Sequence, residues 1–465
     1  MNNNLTELTT YIGTRESMGA VFSIVRSNHR VIMDFGAPFI PEQKPHAVHD
    51  DNWIKDKIAL GLLPAIDGLY PKKYLEGSDL IPAEESPIHT SVFVSHLHLD
   101  HMANIGALAP GVKVYLSETA RSLEMALEDI GQGVDSVGRD YDIFQPDQCI
   151  KEGDIRVTPI INGTLGHQMY GFLVETDDLK VGYTADLSLA GECPELVKRE
   201  MQIFKDRKVD VLYCDCCNFT DDVLTRFFGT VDPDAIVPDE KVPEGMLDYM
   251  QHYEKLEQLY SQKKGLIIFN YYEREIQDAD WIMKWAEKYA RKAVFSPDAG
   301  YLIYKTATGV PNVYPDDRWK DEKWYQELLE NCPVVSLEDI KKEPDRYYLH
   351  LKYEDRELIS QFPNENGLYI HADGYPFTSG EIRNLKEKAK LAGFRFASYD
   401  DPQYYQHGYP SQIEFFVQQI DPKVVIGYHG RHPERIRVYN GYNLVPERYI
   451  RYCLIDGRLV KREDL

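Results

Sequence analysis

The sequence contains no apolar run long enough to cross a membrane. Its longest apolar stretches, such as GLIIFNYY at residues 265–272, are much shorter than the roughly 20 residues that a membrane-spanning helix needs. The first residues, MNNNLTELTT, have neither a basic start nor an apolar core, so we expect no secretory signal. The sequence therefore predicts a cytoplasmic protein that has no membrane partner.

Cysteine is scarce, and its distribution does not indicate a disulfide framework. The seven cysteines are an odd number and are scattered through 465 residues. Only Cys214, Cys216 and Cys217 lie close together, in the segment VDVLYCDCC. We interpret that segment first as the buried end of a strand, and thiolate metal binding there is the alternative.

Basic residues are outnumbered by acidic ones. With 52 basic against 75 acidic residues, the formal net charge is −23. Such a charge argues against a broad basic surface that holds duplex nucleic acid nonspecifically. It does not exclude an enzyme that acts on nucleic acid, because a local basic groove or bound metals can receive phosphates while the remaining surface is acidic.

Length and composition are those of a globular protein with two compact units. Hydrophobic residues make up 43% and charged residues 27% of the chain. A chain of 465 residues is long for a single hydrophobic core. Strand patterns joined by loops dominate up to residue 218. Helical patterns then alternate with short strands over 219–394, which predicts an α/β unit with its own small sheet.

The segment VFVSHLHLDHM at residues 92–102 concentrates residue types that bind metals. An apolar run that ends in such a cluster predicts a strand with a ligand-bearing loop at its tip. Imidazole nitrogens and carboxylate oxygens are ligands of catalytic zinc, which keeps one position open for water. A histidine-rich surface loop is the alternative. The four candidate ligands are His96, His98, Asp100 and His101.

The spacing within this segment favours two metals. His96 and His98 point to the same side of an extended segment, so one metal can accept both. Asp100 and His101 follow where the chain turns, and they can face a second metal beside the first.

Two further candidates stand at the ends of predicted strands. Asp186, in VGYTADLSL, is a carboxylate suited to bridging two cations about 3.5–4 Å apart. His429, in VVIGYHG, follows an apolar strand and precedes a glycine. The alternative for Asp186 is an aspartate that caps a turn. Together with the first cluster, both residues complete a plausible set of ligands for two metals.

These motifs, in this order, resemble the metallo-β-lactamase fold, an αββα sandwich that binds two metals at one edge. The segments VDVLYCDCCN and QHGYPSQIEFFVQQIDPKVVIGYHG are similar to the β-CASP branch, the nucleases of the ribonuclease J and mRNA 3′-end cleavage type. The resemblance covers nearly the whole chain, although only the first motif is highly specific. It implies an α/β fold in which residues 1–218 and 395–465 form the sandwich and residues 219–394 form an inserted α/β β-CASP domain.

The resemblance also implies roles for individual residues. Asp215 matches the acidic residue of the branch's first additional motif, and His429 matches the histidine that closes the second metal shell. His407 lies 22 positions before His429 and matches the histidine that protonates the leaving oxygen. His371, in IHADGYPF, is a rival for that role. Catalytic roles are therefore predicted for Asp100, Asp215 and His407.

The sequence departs from the family pattern at two points. The third metal histidine of the family falls, counted without gaps, on Thr164, and His167 can replace it only if the loop is shorter or bent differently. We therefore include His167 among the predicted metal ligands. The carboxyl-terminal domain of ribonuclease J has no counterpart here, so the dimerisation that depends on it is not implied. A homo-oligomer of another kind remains open.

The predicted function is hydrolysis of a phosphodiester in single-stranded RNA. Two divalent metal ions, zinc or alternatively manganese, would activate a water for attack on phosphorus. Arg431 and Arg435 are candidates for contacts with phosphates, and ordinary surface arginines are the alternative. Two competing interpretations stay open: a metallo-hydrolase of small molecules such as a lactone, thioester or cyclic nucleotide, and a binding protein with impaired catalysis.

Overall fold

The structure is a computed structural model, and the chain it describes divides into two compact units. The described residues are 5–16, 18–38, 51–134, 138–306, 309–372, 374–376, 378–398 and 404–465, apart from the side chain of residue 167. The first unit consists of Met1–Arg121, Val134–Tyr249 and Tyr405–Leu465. The second consists of Ser122–Gly133 and Met250–Tyr404. The domain boundaries suggested by the sequence, after residues 218 and 394, stay a prediction.

The first unit contains two sheets. In the described part of the chain, the first sheet has the strand order β21-β20-β1-β2-β3-β4-β5-β6. Its strands are β1 (Glu7–Ile12), β2 (Val21–Arg26), β3 (His29–Met33), β4 (His89–Phe93), β5 (Lys113–Ser117), β6 (Asp142–Phe144), β20 (Arg451–Ile455) and β21 (Arg458–Lys461). The second sheet has the order β19-β18-β11-β10-β9-β8-β7. Its strands are β7 (Ile150–Glu152), β8 (Ile155–Gly163), β9 (Gly166–Glu175), β10 (Lys180–Tyr183), β11 (Val211–Asp215), β18 (Val424–Tyr428) and β19 (Tyr442–Asn443).

Each of these sheets is parallel in the part that carries the predicted site residues. In the first sheet, β3, β4, β5 and β6 pair in parallel. In the second sheet, β10, β11 and β18 pair in parallel. Neighbouring parallel strands end at the same edge of a sheet, and the residues that follow them are therefore brought close together.

One hydrophobic core joins the two sheets of the first unit. Phe22 of the first sheet stacks on Tyr213 of the second, with ring centroids 3.8 Å apart, and Phe93 packs edge-on against Phe172. A second core covers the opposite face of the second sheet, where helices α4 (Pro194–Arg207) and α12 (Pro410–Ile420) pack. This layering is consistent with an αββα sandwich. The helices of this unit are α1 (Trp53–Ala59), α2 (Leu99–Met102), the start of α3 (Glu118–Asp129), α4 (Pro194–Arg207), α5 (Asp221–Phe228) and α12 (Pro410–Ile420).

The second unit has its own parallel sheet. In the described residues its strand order is β14-β13-β15-β12-β16-β17, and neighbouring strands pair in parallel. The strands are β12 (Ile267–Tyr271), β13 (Lys292–Phe295), β14 (Asn312–Val313), β15 (Tyr347–His350), β16 (Leu368–Ala372) and β17 (Arg395–Ser398). The helices are α6 (Tyr249–Tyr260), α7 (Ile276–Lys288), α8 (Pro297–Thr306), α9 (Lys323–Asn331), α10 (Leu337–Lys342) and α11 (Ser379–Leu391). Nowhere in the described chain is a helix both long and apolar enough to span a membrane.

Candidate metal centre

The predicted ligands of the first unit follow strands that end at one edge. The segment after β4 carries His96 and His98 and continues into the short helix α2, which holds Asp100 and His101. Asp186 follows β10, and His429 follows β18. Polar side chains thus lie at the carboxyl ends of buried apolar strands, as the sequence pattern indicated.

These side chains form two groups of potential ligands. His96, His98 and Asp186 make up the first group, and Asp100, His101 and His429 make up the second. Within each group, one ligand atom of every residue lies within 4.8 Å of the others. Asp186 connects the groups, because its Oδ2 lies 3.4 Å from Nε2 of His96 and its Oδ1 lies 3.0 Å from Nε2 of His101. One carboxylate that faces both groups is the arrangement expected of a bridging ligand.

A buried carboxylate behind the site fixes the orientation of His101. Asp34 follows β3 and is fully buried, and its Oδ2 accepts a hydrogen bond from Nδ1 of His101 at 2.7 Å. The backbone N–H and the hydroxyl of Ser95 donate to the same carboxylate, at 2.6 and 2.8 Å. The hydroxyl of Tyr183 also donates to it. Carboxylate partners of this kind set the tautomer and the ring orientation of metal-binding histidines.

The hydrogen bonds of Ser95 also define the tautomer of His96. Because Ser95 donates its only hydroxyl proton to Asp34, its oxygen accepts from Nδ1 of His96, which lies 3.0 Å away. The other ring nitrogen, Nε2, then carries a lone pair and faces the Asp186 carboxylate at 3.4 Å. Burial, together with His101 and His98, lowers the pKa of His96 to about 4. A neutral imidazole and a carboxylate therefore face each other across a gap that a cation would fill.

Several buried ligand atoms face one another without forming a hydrogen bond, which fits a metal centre. Nε2 of His96, Nε2 of His101 and Oδ1 of Asp186 make no hydrogen bond with any residue that the structure describes. Such atoms are costly to bury unless something else satisfies them. Divalent metals take these imidazole and carboxylate donors, and the residues present are suited to hold two of them.

The charges of the site also favour bound cations. Burial would lower the pKa of His101, but Asp186, Asp100 and Asp34 raise it well above its ordinary value. Burial would also lower the pKa of His429, but Asp186 and Asp100 outweigh burial and raise that pKa to about 10. The carboxylates thus draw positive charge into a largely buried space. Metal ions supply that charge without protonating the ligands.

The backbone around the site is shaped to bring the ligand loops together. Position 36 requires glycine because the backbone of Asp100 passes close to it. A Cβ at this position would lie 1.6 Å from the carbonyl oxygen of Asp100. His429 adopts a φ of 70°, in the left-handed region that non-glycine residues rarely occupy. Its N–H is held by the carbonyl of Gly13 at 2.9 Å. Strain of this kind is often found at functional positions.

His407 lies beside the two ligand groups. Its Nδ1 donates to Oδ2 of Asp215 at 2.8 Å, and its ring centroid lies 5.0 Å from that of His429. The side-chain amide of Asn218 holds the backbone carbonyls of His407 and Gly408, at 2.8 and 3.2 Å. Burial opposes protonation of His407, but Cys217 and Asp215 outweigh it and raise the pKa. Asp215 and Asn218 together fix both the ring and the backbone of this histidine.

The three clustered cysteines have different environments. Cys214 and Cys216 belong to the core beneath α4 and α12, and Sγ of Cys216 contacts the carbonyl oxygen of Tyr428 at 2.9 Å. Cys217 lies beyond the end of β11, and its N–H donates to Oδ1 of Asp215 at 2.8 Å. The first two cysteines match the interpretation of a buried strand end. Cys217, by contrast, reaches the edge that carries the ligands.

Thr164, on which the resemblance places the family's third metal histidine, has hydrogen bonds that serve the loop structure. Its hydroxyl accepts a hydrogen bond from the N–H of Ser188 at 3.0 Å, and its own N–H donates to Asn162. The amide of Asn162 in turn holds the carbonyl of Asp186 at 3.1 Å. Thr164 and Asn162 thus position the loop that carries the bridging carboxylate. The backbone of His167 lies in β9, but its side chain is outside the described part of the structure.

Three other sequence candidates do not belong to the ligand groups, and two of them have partners elsewhere. His371, the rival proton donor, lies on β16 of the second unit with Nδ1 3.0 Å from Oδ1 of Asn270. Arg435 is paired with Asp221 at 2.6 Å, and Arg431 is exposed. None of these residues belongs to the ligand groups found among the described residues.

Comparisons with known proteins give a family match for part of the chain and a similar solved structure. Residues 90–278 match a family model described as the metallo-beta-lactamase superfamily. Comparison with curated proteins gives no match. A protein of unknown function from Enterococcus faecalis V583 is similar in structure, with a TM-score of 0.72 and 19% identity over 98% of this chain and 100% of that chain. The metallo-beta-lactamase fold protein YhfI from Bacillus subtilis aligns with a TM-score of 0.28 and 18% identity over 46% of this chain and 72% of that chain.

The family match includes most of the candidate centre. Residues 90–278 contain His96, His98, Asp100, His101 and Asp186, the residues that form the first ligand group and most of the second. The likeness to the Enterococcus protein extends over the whole chain and shows a shared fold. Residues 90–278 match the metallo-β-lactamase superfamily, and proteins of this superfamily are generally metal-dependent hydrolases.

Proposed function

We propose that this protein is a metal-dependent phosphodiesterase that cleaves single-stranded RNA. The observation that carries the proposal is the hydrogen bond between Asp215 and His407, 2.8 Å long, beside the two ligand groups. A generic hydrolase of activated esters needs the metals alone. A nuclease also needs an acid that protonates a poor leaving group, and His407 has the partner and the location for that task.

Two metals would be held by the residues already described. His96, His98 and Asp186 would hold one ion, and Asp100, His101 and His429 the other, with Asp186 shared between them. When bound, such ions supply a water nucleophile at neutral pH and Lewis-acid stabilisation of a phosphoryl oxygen. Zinc is our first choice because histidine nitrogens outnumber oxygens in the donor set, and manganese is the alternative.

His407 would deliver the proton that the departing ribose oxygen requires. Because Asp215 accepts from Nδ1, the other ring nitrogen is the one available to donate toward substrate. Asp215 also receives the N–H groups of Leu187 and Cys217, at 3.1 and 2.8 Å, so its own position is fixed. The carboxylate favours the protonated imidazole, which keeps the acid charged and ready. Asp215 is thus a positioning residue for His407.

The choice of RNA rests on the resemblance to the β-CASP branch. The segments around Asp215, His407 and His429 resemble the motifs of that branch in their order along the chain. We propose that residues 219–394 are the inserted β-CASP domain, and the parallel sheet within Met250–Tyr404 is compatible with that assignment. The acidic net charge of −23 favours the competing function, hydrolysis of a small molecule.

The decisive experiment compares two substrates in one variant. His407→Ala is assayed on a single-stranded RNA oligomer and on bis(p-nitrophenyl) phosphate, whose leaving group needs no proton. We expect a loss of about 10²- to 10⁴-fold on RNA and a nearly unchanged rate on the aryl ester. His89→Ala, which replaces an exposed histidine, is the matched control and should leave both rates unchanged.

The other outcomes show which part of the proposed function is wrong. Equal losses on both substrates, with metal content retained, would mean that His407 does not protonate the leaving group. No loss on either substrate would favour the small-molecule hydrolase. A wild-type protein that binds metal but hydrolyses neither substrate would favour a binding protein with impaired catalysis.

A further inference from the structure

A thiol lies next to the two ligand groups and belongs to neither of them. Sγ of Cys217 and one ring nitrogen each of His407 and His429 lie within 4.8 Å of one another. Cys217 and His407 are partly exposed, whereas His429 is only 1% exposed. The three residues come from three separate segments of the first unit. Their convergence is therefore produced by the fold and not by closeness in sequence.

The second nitrogen of His429 supports a ligand on this side of the centre. Nε2 lies 2.5 Å from Oδ2 of Asp100, which directs that nitrogen toward the second ligand group. Nδ1 is buried and makes no hydrogen bond within the described residues. It lies 3.8 Å from Oδ1 of Asp186 and 4.0 Å from Oδ1 of Asp215. Nδ1 thus faces the segment that carries Asp215 and, two residues later, Cys217.

We propose that Cys217, His407 and His429 form a further cation position, which binds a thiophilic divalent metal such as Zn²⁺ or Cd²⁺. A thiolate with two imidazoles is a donor set that zinc accepts and that magnesium, calcium and manganese do not prefer. On binding, the cation replaces the proton of the thiol, the proton on the free ring nitrogen of His407 and, when the second ligand group also holds a metal through Nε2 of His429, the remaining ring proton of His429; these protons pass to solvent. The position goes beyond the function proposed above, because it requires no particular substrate.

The proposal has a consequence for the reaction, and this consequence does rest on the proposed function. A cation bound by His407 occupies the imidazole that would otherwise donate a proton. An excess of a thiophilic metal should therefore inhibit RNA cleavage, even though the same metal at lower concentration fills the two main ligand groups. Replacing Cys217 with serine should relieve that inhibition.

The test uses Cd²⁺ as the probe and the full chain, after metals have been removed with a chelator. Cd²⁺ is titrated into the protein while the thiolate-to-cadmium charge-transfer absorption is measured in the ultraviolet. We expect a band equivalent to one thiolate per chain, its loss in Cys217→Ser and its retention in Cys149→Ser, which replaces an exposed cysteine. Absence of the band in the wild type, or an undiminished band in Cys217→Ser, overturns the proposal.

A second measurement needs no variant and so does not depend on whether Cys217→Ser folds. The wild-type protein is alkylated with iodoacetamide, and the rate at each cysteine is followed by peptide mass spectrometry. Cd²⁺ should slow alkylation of Cys217 by about 10-fold or more and leave Cys149 unaffected, because a coordinated thiolate is a poor nucleophile. Equal rates at Cys217 with and without Cd²⁺ contradict the proposal. Neither measurement involves hydrolysis, so failure of the proposed function would be recognised separately.

Discussion

Oδ2 of Asp34 lies 2.7 Å from Nδ1 of His101, although the two residues are 67 positions apart in the sequence. The same carboxylate accepts hydrogen bonds from Ser95 and Tyr183, so it is itself held in place. The ring of His101 therefore presents Nε2 to Asp186, 3.0 Å away, without needing to be ordered by a metal. Such preorganisation of a ligand strengthens metal binding.

Asp34→Asn should weaken metal binding while the shape of the side chain is preserved. Loss of the charge behind His101 reduces the basicity of its Nε2, and we expect the affinity for Zn²⁺ to fall by about 10- to 100-fold. Competition with a chromophoric chelator measures that affinity, and circular dichroism checks the fold. Asp140→Asn replaces an aspartate whose side chain is 94% exposed and should bind like the wild type. Unchanged affinity in Asp34→Asn would show that Asp34 serves only the packing of the loop.

Asp186 and Asp100 should differ in the number of metals that they hold. Asp186 faces both ligand groups, whereas Oδ2 of Asp100 faces only His101 and His429, at 3.5 and 2.5 Å. Asp186→Ala should lower the occupancy of both positions, and Asp100→Ala should reduce the content from about two ions per chain to about one. Elemental analysis after dialysis measures the content, and phosphodiester hydrolysis should be lost in both variants. A fully metallated and active Asp100→Ala protein is incompatible with a two-metal centre.

The main ligands could be predicted because their signal is local. His96, His98 and His101 lie within six positions, and ligand types at that density are informative in any fold. Asp186 and His429 each follow an apolar run, and that pattern indicates a strand end. The pairing of β10, β11 and β18 in parallel then brings such ends to one edge, which is a property that the sequence pattern of one strand does not contain.

The sequence did not reveal residues whose role depends on a contact with a segment far away in the sequence. Asp34 ends the run VIMD much as Asp186 ends GYTAD, but nothing in either segment indicates which histidine it will meet. The cluster of Cys214, Cys216 and Cys217 was assigned to a strand end as a whole. Cys216 and Cys217 both follow the end of β11 at Asp215, yet Cys216 packs in the core and Cys217 lies beside His407 and His429, and such a difference between adjacent residues is beyond sequence patterns. Nothing in the sequence around Asn218 indicated that its amide would hold the backbone of His407.

The prediction that His167 is a third histidine ligand of the first ligand group stays a prediction, and the variant His167→Ala tests it. If the loop brings His167 to the centre, its replacement should weaken one of the two metal sites by about 10-fold or more. Affinities of both sites are measured by stepwise chelator competition. Thr164→Ala is the informative comparison, because it removes the hydrogen bond from Ser188 and loosens the loop of Asp186 without removing a ligand. Unchanged metal binding in His167→Ala would mean that this shell has one histidine fewer than the family pattern.

A buried carboxylic acid on α4 predicts a pH dependence of stability that is separate from the metal ligands. Glu200 is fully buried, and the amide of Asn162 approaches its Oε2 at 3.4 Å. Its Oε1 makes no hydrogen bond to a described residue. Burial raises the pKa of Glu200 well above its ordinary value of 4.5, even though the hydrogen bond with Asn162 acts in the opposite direction. The folded protein therefore keeps a proton that the unfolded chain releases.

The sign of the effect follows from that proton, and Glu200→Gln measures it. Above the unfolded pKa the folded state binds more protons, so the free energy of unfolding falls as pH rises, by up to about 1.4 kcal/mol per pH unit from this group, until pH exceeds the folded pKa. Glutamine has nearly the same shape and no proton to lose, so its variant should lack this decline. Urea unfolding in the presence of a chelator, from about pH 5 to about pH 8, gives the slopes. Glu195→Gln, at an exposed position of the same helix, should keep the wild-type slope, and an identical slope in Glu200→Gln would mean that Glu200 is ionised in the folded protein.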